Sequence, residues 1–326
     1  MIIQGQEQMD NLDISSIRNI REINISNVDY IPEGKFNNLP NLRKLDIYNA
    51  KVIEAGAFMN CRNLEVFNSD NNIKEIHDFA FYNTNIGFIP ELYKNTKFGI
   101  YNNIGKNITL ENTSWSNLSK LSNLNKCKKY FNIGDTKSMT LTNGETYNAE
   151  IIGFNHDNLA DGTGKAGITF QFKELITTKH VINTEQTNVG GWEMSEIRIY
   201  VNNDVFTLLP TDLQDKIKEV VKLSDAGNMD TTTLVETTDK LFLLSLEEVR
   251  LSSPYNVYNV AGQGKKYKKF TNKSSRVKYL SGSATCWWLR STSTSIAGFF
   301  FYVTTDGSDD YSYGYIPDGI APAFCI

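Results

Sequence analysis

The 326-residue chain is poor in the residue types on which most enzyme and metal chemistry depends. Its four cysteines, Cys61, Cys127, Cys286 and Cys325, include no C-x-x-C pair. They are too sparse for a disulfide framework and have no metal-ligand spacing. Buried free thiols are the expectation, with a Cys286–Cys325 bridge left open. Only three histidines are present, His77, His156 and His180, and neither HExxH nor GxSxG occurs. That removes the zinc-hydrolase and serine-nucleophile chemistries written in those motifs, and no cofactor is expected. Basic residues do not outnumber acidic ones: 33 Lys and Arg face 37 Asp and Glu, a net charge of −4. A dedicated nucleic-acid binder is basic, so nucleic acid is not an expected partner. No apolar run approaches the ~18 residues of a membrane span, so no membrane insertion is expected. The opening MIIQGQEQMDNLDI has neither the basic nor the apolar region of a secretory leader. The expectation is a chain that stays in the cell until release, leaves by virion assembly and lysis, or has had its leader removed.

What the sequence does have is repetition. Ile31-Pro-Glu-Gly-Lys-Phe36 recurs as Ile53-Glu-Ala-Gly-Ala-Phe58 and as Ile76-His-Asp-Phe-Ala-Phe81, at offsets of 22 and 23 residues. Between them lie Asn41-Leu42-Arg-Lys-Leu45-Asp-Ile47 and Asn63-Leu64-Glu-Val66-Phe67, and Ile20 to Ile25 reads as a degenerate first copy. A period in this range with L-x-x-L-x-I spacing is the leucine-rich-repeat signature. Each repeat is a short strand and turn that cannot bury its apolar face alone, so stacking supplies the core. Strand alternation turns Leu45 and Ile47 inward and Lys44 and Asp46 outward. Any binding on this part is expected on Lys44, Asp46, Tyr48, Glu65 and Asn68. The repeats span roughly 15–92, in three or four copies, and their I-x-x-x-A-F…C-x-x-L pattern resembles the BspA-like repeats of bacterial surface proteins.

Periodicity stops after Pro90. Residues 93–112 read as a connector, after a repeat module over 1–92, and a second domain is expected over 113–326. Trp115, Leu118, Leu121 and Leu124 fall at helical spacing behind a Ser/Thr cap. Residues 137–154 predict a hairpin turning on Asn143-Gly144, with positive φ at both. Thr211-Asp-Leu-Gln214 predicts a capping box, with Leu213, Ile217, Val220 and Val221 on one helical face. The end is strand-rich: Gly298 to Val303, a turn at Asp306-Gly307, Tyr311 to Ile316, then Ala321 to Ile326. Short strands mixed with a few helices imply an α+β domain.

Several stretches of this second half, Ile152-Gly-Phe-Asn-His-Asp157, Gly190-Gly-Trp-Glu-Met-Ser195 with Arg198, Asp239-Lys-Leu-Phe-Leu-Leu-Ser245, Trp287-Trp-Leu-Arg-Ser291 and Gly319-Ile-Ala-Pro-Ala-Phe-Cys-Ile326, resemble a family catalogued as a domain of unknown function, common in gut Firmicutes and their phages. The Trp-Trp-Leu-Arg-Ser motif, the polar segment after it and the closing strand resemble the C-type-lectin-like fold, in which the closing strand pairs with the opening one. The expected fold is therefore α+β: a short leucine-rich-repeat solenoid followed by a compact C-type-lectin-like domain. The same fold carries the variable proteins of diversity-generating retroelements and some phage tropism proteins, which implies ligand recognition; fold alone does not fix function.

Three other patterns carry weaker signals. Gly162-Thr-Gly164-Lys-Ala-Gly167 matches G-x-G-x-x-G, but strand-like sequence follows it where a phosphate cradle needs a helix, so a tight turn is expected. His156-Asp157 is the best acid–base pair on offer and reads as a hydrogen-bonded corner; Asp306, Asp309 and Asp310 are too few for a calcium site. The lysines between Lys265 and Lys278 read as a solvated loop. The segment from Ser291 to Asp318, by contrast, is rich in Ser, Thr, Tyr, Gly and Asp, the composition of antibody loops. Aromatics there can stack on the apolar faces of sugars, while Trp287, Trp288, Leu289 and Phe324 read as core. The expected ligand-binding residues are Arg290, Thr292, Thr294, Tyr302, Asp309, Asp310, Tyr311, Tyr313, Tyr315 and Asp318. The expected function is non-enzymatic recognition of a host surface protein or glycan, at a cell surface or virion or outside the cell; the alternative is a structural or assembly protein among virion or cell-surface proteins. An enzyme whose pocket gathers His156, Asp157 and Arg290 is the remaining expectation.

Overall fold

Parallel pairing at a 22- to 23-residue offset organises the first of two compact units, Met1–Lys120 and Leu121–Ile326. The structure, a computed structural model, describes residues 1–70, 72–86, 96–98, 109–111, 113–250 and 258–326. In the first unit, strands Ile2–Gln4, Glu22–Ser26, Lys44–Tyr48 and Val66–Ser69 form one parallel sheet. Tyr30–Ile31, Val52–Ile53, Glu75–Ile76 and Lys97–Phe98 form a second. The stack therefore runs into the span read as a connector: Lys97–Phe98 pairs with Glu75–Ile76 in repeat register. Most of that span, 93–95, 99–108 and 112, lies outside the described residues.

Equivalent residues of successive repeats meet directly. Phe36, Phe58 and Phe81 stack with ring centroids 5.3 and 5.2 Å apart. Leu45 and Ile47 are buried, and Lys44 pairs outside with Asp46 at 3.2 Å. Asn27, Asn49 and Asn72 form an amide ladder at 3.0 and 2.9 Å. Asn27 and Asn49 have φ near +55°, a conformation Asn tolerates because its short polar side chain bonds locally.

The second unit is built on a five-stranded antiparallel sheet in the order Leu241–Phe242, Ala323–Cys325, Thr169–Phe172, Thr146–Gly153, Thr136–Thr140. The closing strand lies inside this sheet, and the opening strand Thr136–Thr140 is at its edge. A three-stranded meander, Trp287–Thr292, Phe299–Val303 and Asp309–Tyr313, forms a separate sheet. Val220–Asp225 pairs with Leu234–Asp239, and Lys278–Leu280 with Ser283–Thr285. Glu196–Tyr200 is helical behind its Ser195 cap, and a π-helical turn at Val201–Val205 follows.

Three local expectations are corrected. Gly144 has φ +90° while Asn143 is not in the left-handed region. Leu141 N–H donates to Glu145 O at 2.8 Å, and Gly144 N–H to Leu141 O at 2.9 Å. This is a three-residue loop with glycine at the bulge, so one left-handed residue suffices. Thr211–Gln214 starts after Pro210 without a side-chain cap, because the Gln214 amide donates to Leu209 O and Thr207 O instead. The helix stops there, and Val220 and Val221 belong to a strand. The capping box sits at Ser245, whose hydroxyl accepts from Glu248 N–H at 3.2 Å while the Glu248 carboxylate accepts from Ser245 N–H at 2.9 Å. All four cysteines are free, so Cys286 and Cys325 do not pair.

Candidate recognition surface

The strand Trp287–Thr292 is buried at every residue. It is the rail on which the Ser291–Asp318 segment is mounted, and what fixes it is a sealed group of charges. Arg290, with no exposed surface, places Nη1 2.5 Å from Glu248 and 2.8 Å from Leu243 O, and Nη2 2.6 Å from Gln263 O. Glu248 also accepts from Lys222 at 2.6 Å, and Lys222 reaches Asp157 at 2.7 Å. Asp157 accepts further bonds from Tyr267 at 2.8 Å and Thr169 at 2.6 Å. Two carboxylates and two cations thus alternate, and Asp157, Glu248 and Arg290 each have neutral partners as well.

Burial on its own would raise Asp157 and Glu248. Lys222 and His156 outweigh it at Asp157 and hold that carboxyl well below its ordinary range, and Arg290 with Lys222 does the same less strongly at Glu248. Burial works against the charge on Lys222, but Asp157 and Glu248 hold its ammonium on. All four are ionised at neutral pH, which fits a structural tetrad.

Two expected ligand residues therefore belong to the interior. Arg290 is spent on Glu248 and main-chain carbonyls. Thr292 gives its N–H to Asp225 at 2.9 Å and its hydroxyl to the same carboxylate. Neither reaches a surface, because a cation and a hydroxyl on a two-sided buried strand must find partners inside. His156 and Asp157 do adjoin Arg290 through Lys222 and Glu248, but Asp157, Lys222, Glu248 and Arg290 are closed off from solvent.

The other eight expected residues lie at or near the surface. Register puts Phe299 opposite Tyr313 and Phe301 opposite Tyr311 on one face, and Tyr302 opposite Asp310 on the other. Neither of the alternate sets of this strand is wholly core: Phe300 and Phe301 are buried, Phe299 and Tyr302 half-buried. On the first face, Tyr311 lies 5.7 Å from Phe299, 5.5 Å from Phe301 and 6.2 Å from Tyr258. Tyr313 meets Phe299 edge-on at 4.2 Å and stacks on Tyr315 at 5.2 Å. Tyr258, Tyr311, Phe299, Tyr313 and Tyr315 form one continuous aromatic strip, with Tyr258 and Tyr315 exposed at its ends by 41% and 39%. Thr294 borders it, its N–H on Tyr258 O at 2.8 Å.

On the second face Tyr302 packs edge-on against Trp288 and reaches Asp310 at 3.4 Å. Burial, then Asp310, pushes the Tyr302 hydroxyl up to about 12. Asp309 accepts from Arg276 at 3.1 Å. Asp318 bonds main chain to main chain with His180 and faces Lys179 at 3.6 Å; burial raises its carboxyl. Asp306 is held by Thr304 and Ser308 in the turn closed by Gly307. Each of these aspartates has its own partner, and no group of three metal-ligating residues gathers among the described residues.

Sequence reasoning missed Tyr258, which lies 41 residues before Phe299. It also missed Lys222, Glu248 and Tyr267; the S-x-x-E spacing at Ser245 was the available signal for Glu248.

Residues 13–109 match the family model described as BspA type Leucine rich repeat region, in six copies, and residues 167–326 match Domain of unknown function (DUF6273). The chain carries a BspA-type repeat region and a DUF6273 domain. No curated protein and no solved structure matches it. The first strand inside the DUF6273 span, Thr169–Phe172, pairs antiparallel with the last, Ala323–Cys325. The aromatic strip lies wholly within the DUF6273 domain; of the buried tetrad, Asp157 alone precedes the matched span.

Proposed function

We propose that this chain is a non-enzymatic recognition protein whose DUF6273 domain contacts its ligand through the aromatic strip. One observation carries the reading: five aromatic side chains form one strip open to solvent, with Phe299, Tyr311 and Tyr313 on a meander whose first strand is locked by the tetrad and Tyr258 and Tyr315 at the ends. Half-buried tyrosines lose little conformational freedom on binding and offer both a ring face and a hydroxyl. Such a strip suits the C–H face of a sugar or a loop of a partner protein. A C-type-lectin-like fold for this domain, a solenoid for the repeats, and placement on a cell or virion surface complete the proposal. Of the groups that an enzyme reading would gather, Asp157 and Arg290 are sealed in the tetrad, which favours recognition.

The test is binding of the full chain to glycan and cell-surface protein arrays, with Tyr311→Ala, Tyr313→Ala and Tyr315→Ala alongside. Signals that drop at least tenfold in Tyr313→Ala without a change in melting temperature support the proposal. Ligands that bind all three variants undiminished overturn it, and co-purification with structural proteins in the absence of any array signal favours the assembly role.

A further inference from the structure

A concave site lies in the Leu121–Ile326 unit, beside the glycine turn that matched G-x-G-x-x-G. It is a polar pocket of about 340 Å³ lined by Asn123, Asn125, Asn155, Thr163, Lys165 and Lys218, with Leu159 as its apolar wall and Ser122 in its lining. The volume falls in the range of small-molecule sites. Asn125 and Asn155 both have positive φ, +55° and +49°, which Asn tolerates.

Its hydrogen bonds leave it with an excess of donors. Lys218 donates to Asn123 Oδ1, Asn155 to Asn125 Oδ1, and Lys165 to His156 O at 3.1 Å. The rim carboxylate, Asp161, accepts Thr163 N–H at 2.9 Å and the Thr163 hydroxyl at 2.7 Å. These bonds take up Asn123 Oδ1, Asn125 Oδ1 and one Asp161 oxygen. An ammonium has three N–H bonds and an Asn amide two, so both lysines and the Asn123 and Asn125 amides keep N–H groups with no partner among the described residues. Next to the Asn155 wall, His156 Nε2 lies 2.9 Å from Lys265 O, in the loop that exposes Lys265, Lys266 and Lys268.

A donor-rich, cationic hollow with one apolar wall is complementary to an anion on a hydroxylated ring. We propose that this pocket binds a single acidic sugar residue, its carboxylate or sulfate held by Lys165 and Lys218, its hydroxyls by the asparagine amides, and its C–H face by Leu159. The site is separate from the aromatic strip and does not depend on it.

Calorimetry on the full chain with methyl glucuronide, N-acetylneuraminic acid and galactose 6-sulfate, against methyl glucoside and inorganic sulfate, tests this. The carboxylated and sulfated arms tell which anion is taken. At least one acidic sugar is expected to bind, and to weaken about tenfold in Lys165→Gln and in Lys218→Gln, the loss of one charge-assisted bond. Tyr313→Ala should leave that binding unchanged, so failure of the strip and failure of the pocket are distinguishable. The proposal is overturned if no acidic sugar binds, if both lysine variants bind as the parent does, or if inorganic sulfate binds as tightly as the sugars.

Discussion

Replacing Lys222 with Met tests the sealed tetrad. The substitution keeps the length of the side chain and its packing on the Phe242 ring, over which Nζ sits at 4.1 Å, but removes one of two buried cations. Glu248 then keeps Arg290, Asp157 keeps Tyr267, Thr169 and the neighbouring His156, and the tetrad changes from neutral to one net negative charge. Breaking a buried pair in this way costs about 3–5 kcal/mol. For a domain of this size that lowers the melting temperature by roughly 6–20 °C.

The loss depends on pH. In the parent, Asp157 and Glu248 titrate below their unfolded values. Their contribution is present above about pH 4 and fades as pH falls through the folded values. In Lys222→Met the strongest counter-charge on Asp157 is gone, so burial drives its carboxyl upward and it takes a proton at higher pH than in the parent. The gap between variant and parent should therefore narrow from pH 8 to pH 5. Urea unfolding followed by tryptophan fluorescence reads this, because Trp192, Trp287 and Trp288 are all buried in the same unit. Adding Asp157→Asn to Lys222→Met restores neutrality and should recover at least half of the loss. A difference below about 1 kcal/mol at pH 8, or one that is constant with pH, refutes the reasoning.

Gly191→Ala should destabilise the second unit by more than about 1 kcal/mol in the same urea assay, since φ is +53° and a Cβ would lie 2.0 Å from Asp225 O; a neutral result would mean that this corner yields freely. Phe301→Ala, at the buried centre of the meander, should cost about 3–5 kcal/mol, whereas Tyr315→Ala at the exposed end should leave stability nearly unchanged, and equal losses would contradict the burial described. In the repeats, Asn49→Ala should be worse than Asn49→Gly by roughly 1 kcal/mol, because both lose the amide ladder but only alanine strains at φ +55°; thermal melts of the two variants decide it.

Much of the architecture was legible because it rests on local pattern. The recurrence of Ile31, Ile53 and Ile76 at 22 and 23 residues is the inter-strand register itself, and Leu45 and Ile47 alternate into the core as period two demands. The repeat strand Lys97–Phe98 was not legible, since its two residues lack the flanking Phe and Leu that mark the other copies. The aromatic strip was half legible. Tyr311, Tyr313 and Tyr315 stood out by composition, but whether Phe300 or Phe301 was core could not be read when packing covers both faces. Arg290 and Thr292 were misplaced for the same reason. Their partners, Glu248 and Asp225, lie 42 and 67 residues away and are chosen by tertiary packing, which no short window of sequence contains.

The walls around the four alternating charges also separate two responses to ionic strength. Mobile counter-ions screen exposed charges over about 8–10 Å at physiological salt, but they cannot enter a space from which water is shut out. Cohesion of the domain should thus hold in brine as in fresh water, while capture of an acidic sugar by Lys165 and Lys218 should fade. A protein so built could shed its cargo in a salty medium without loosening its own frame.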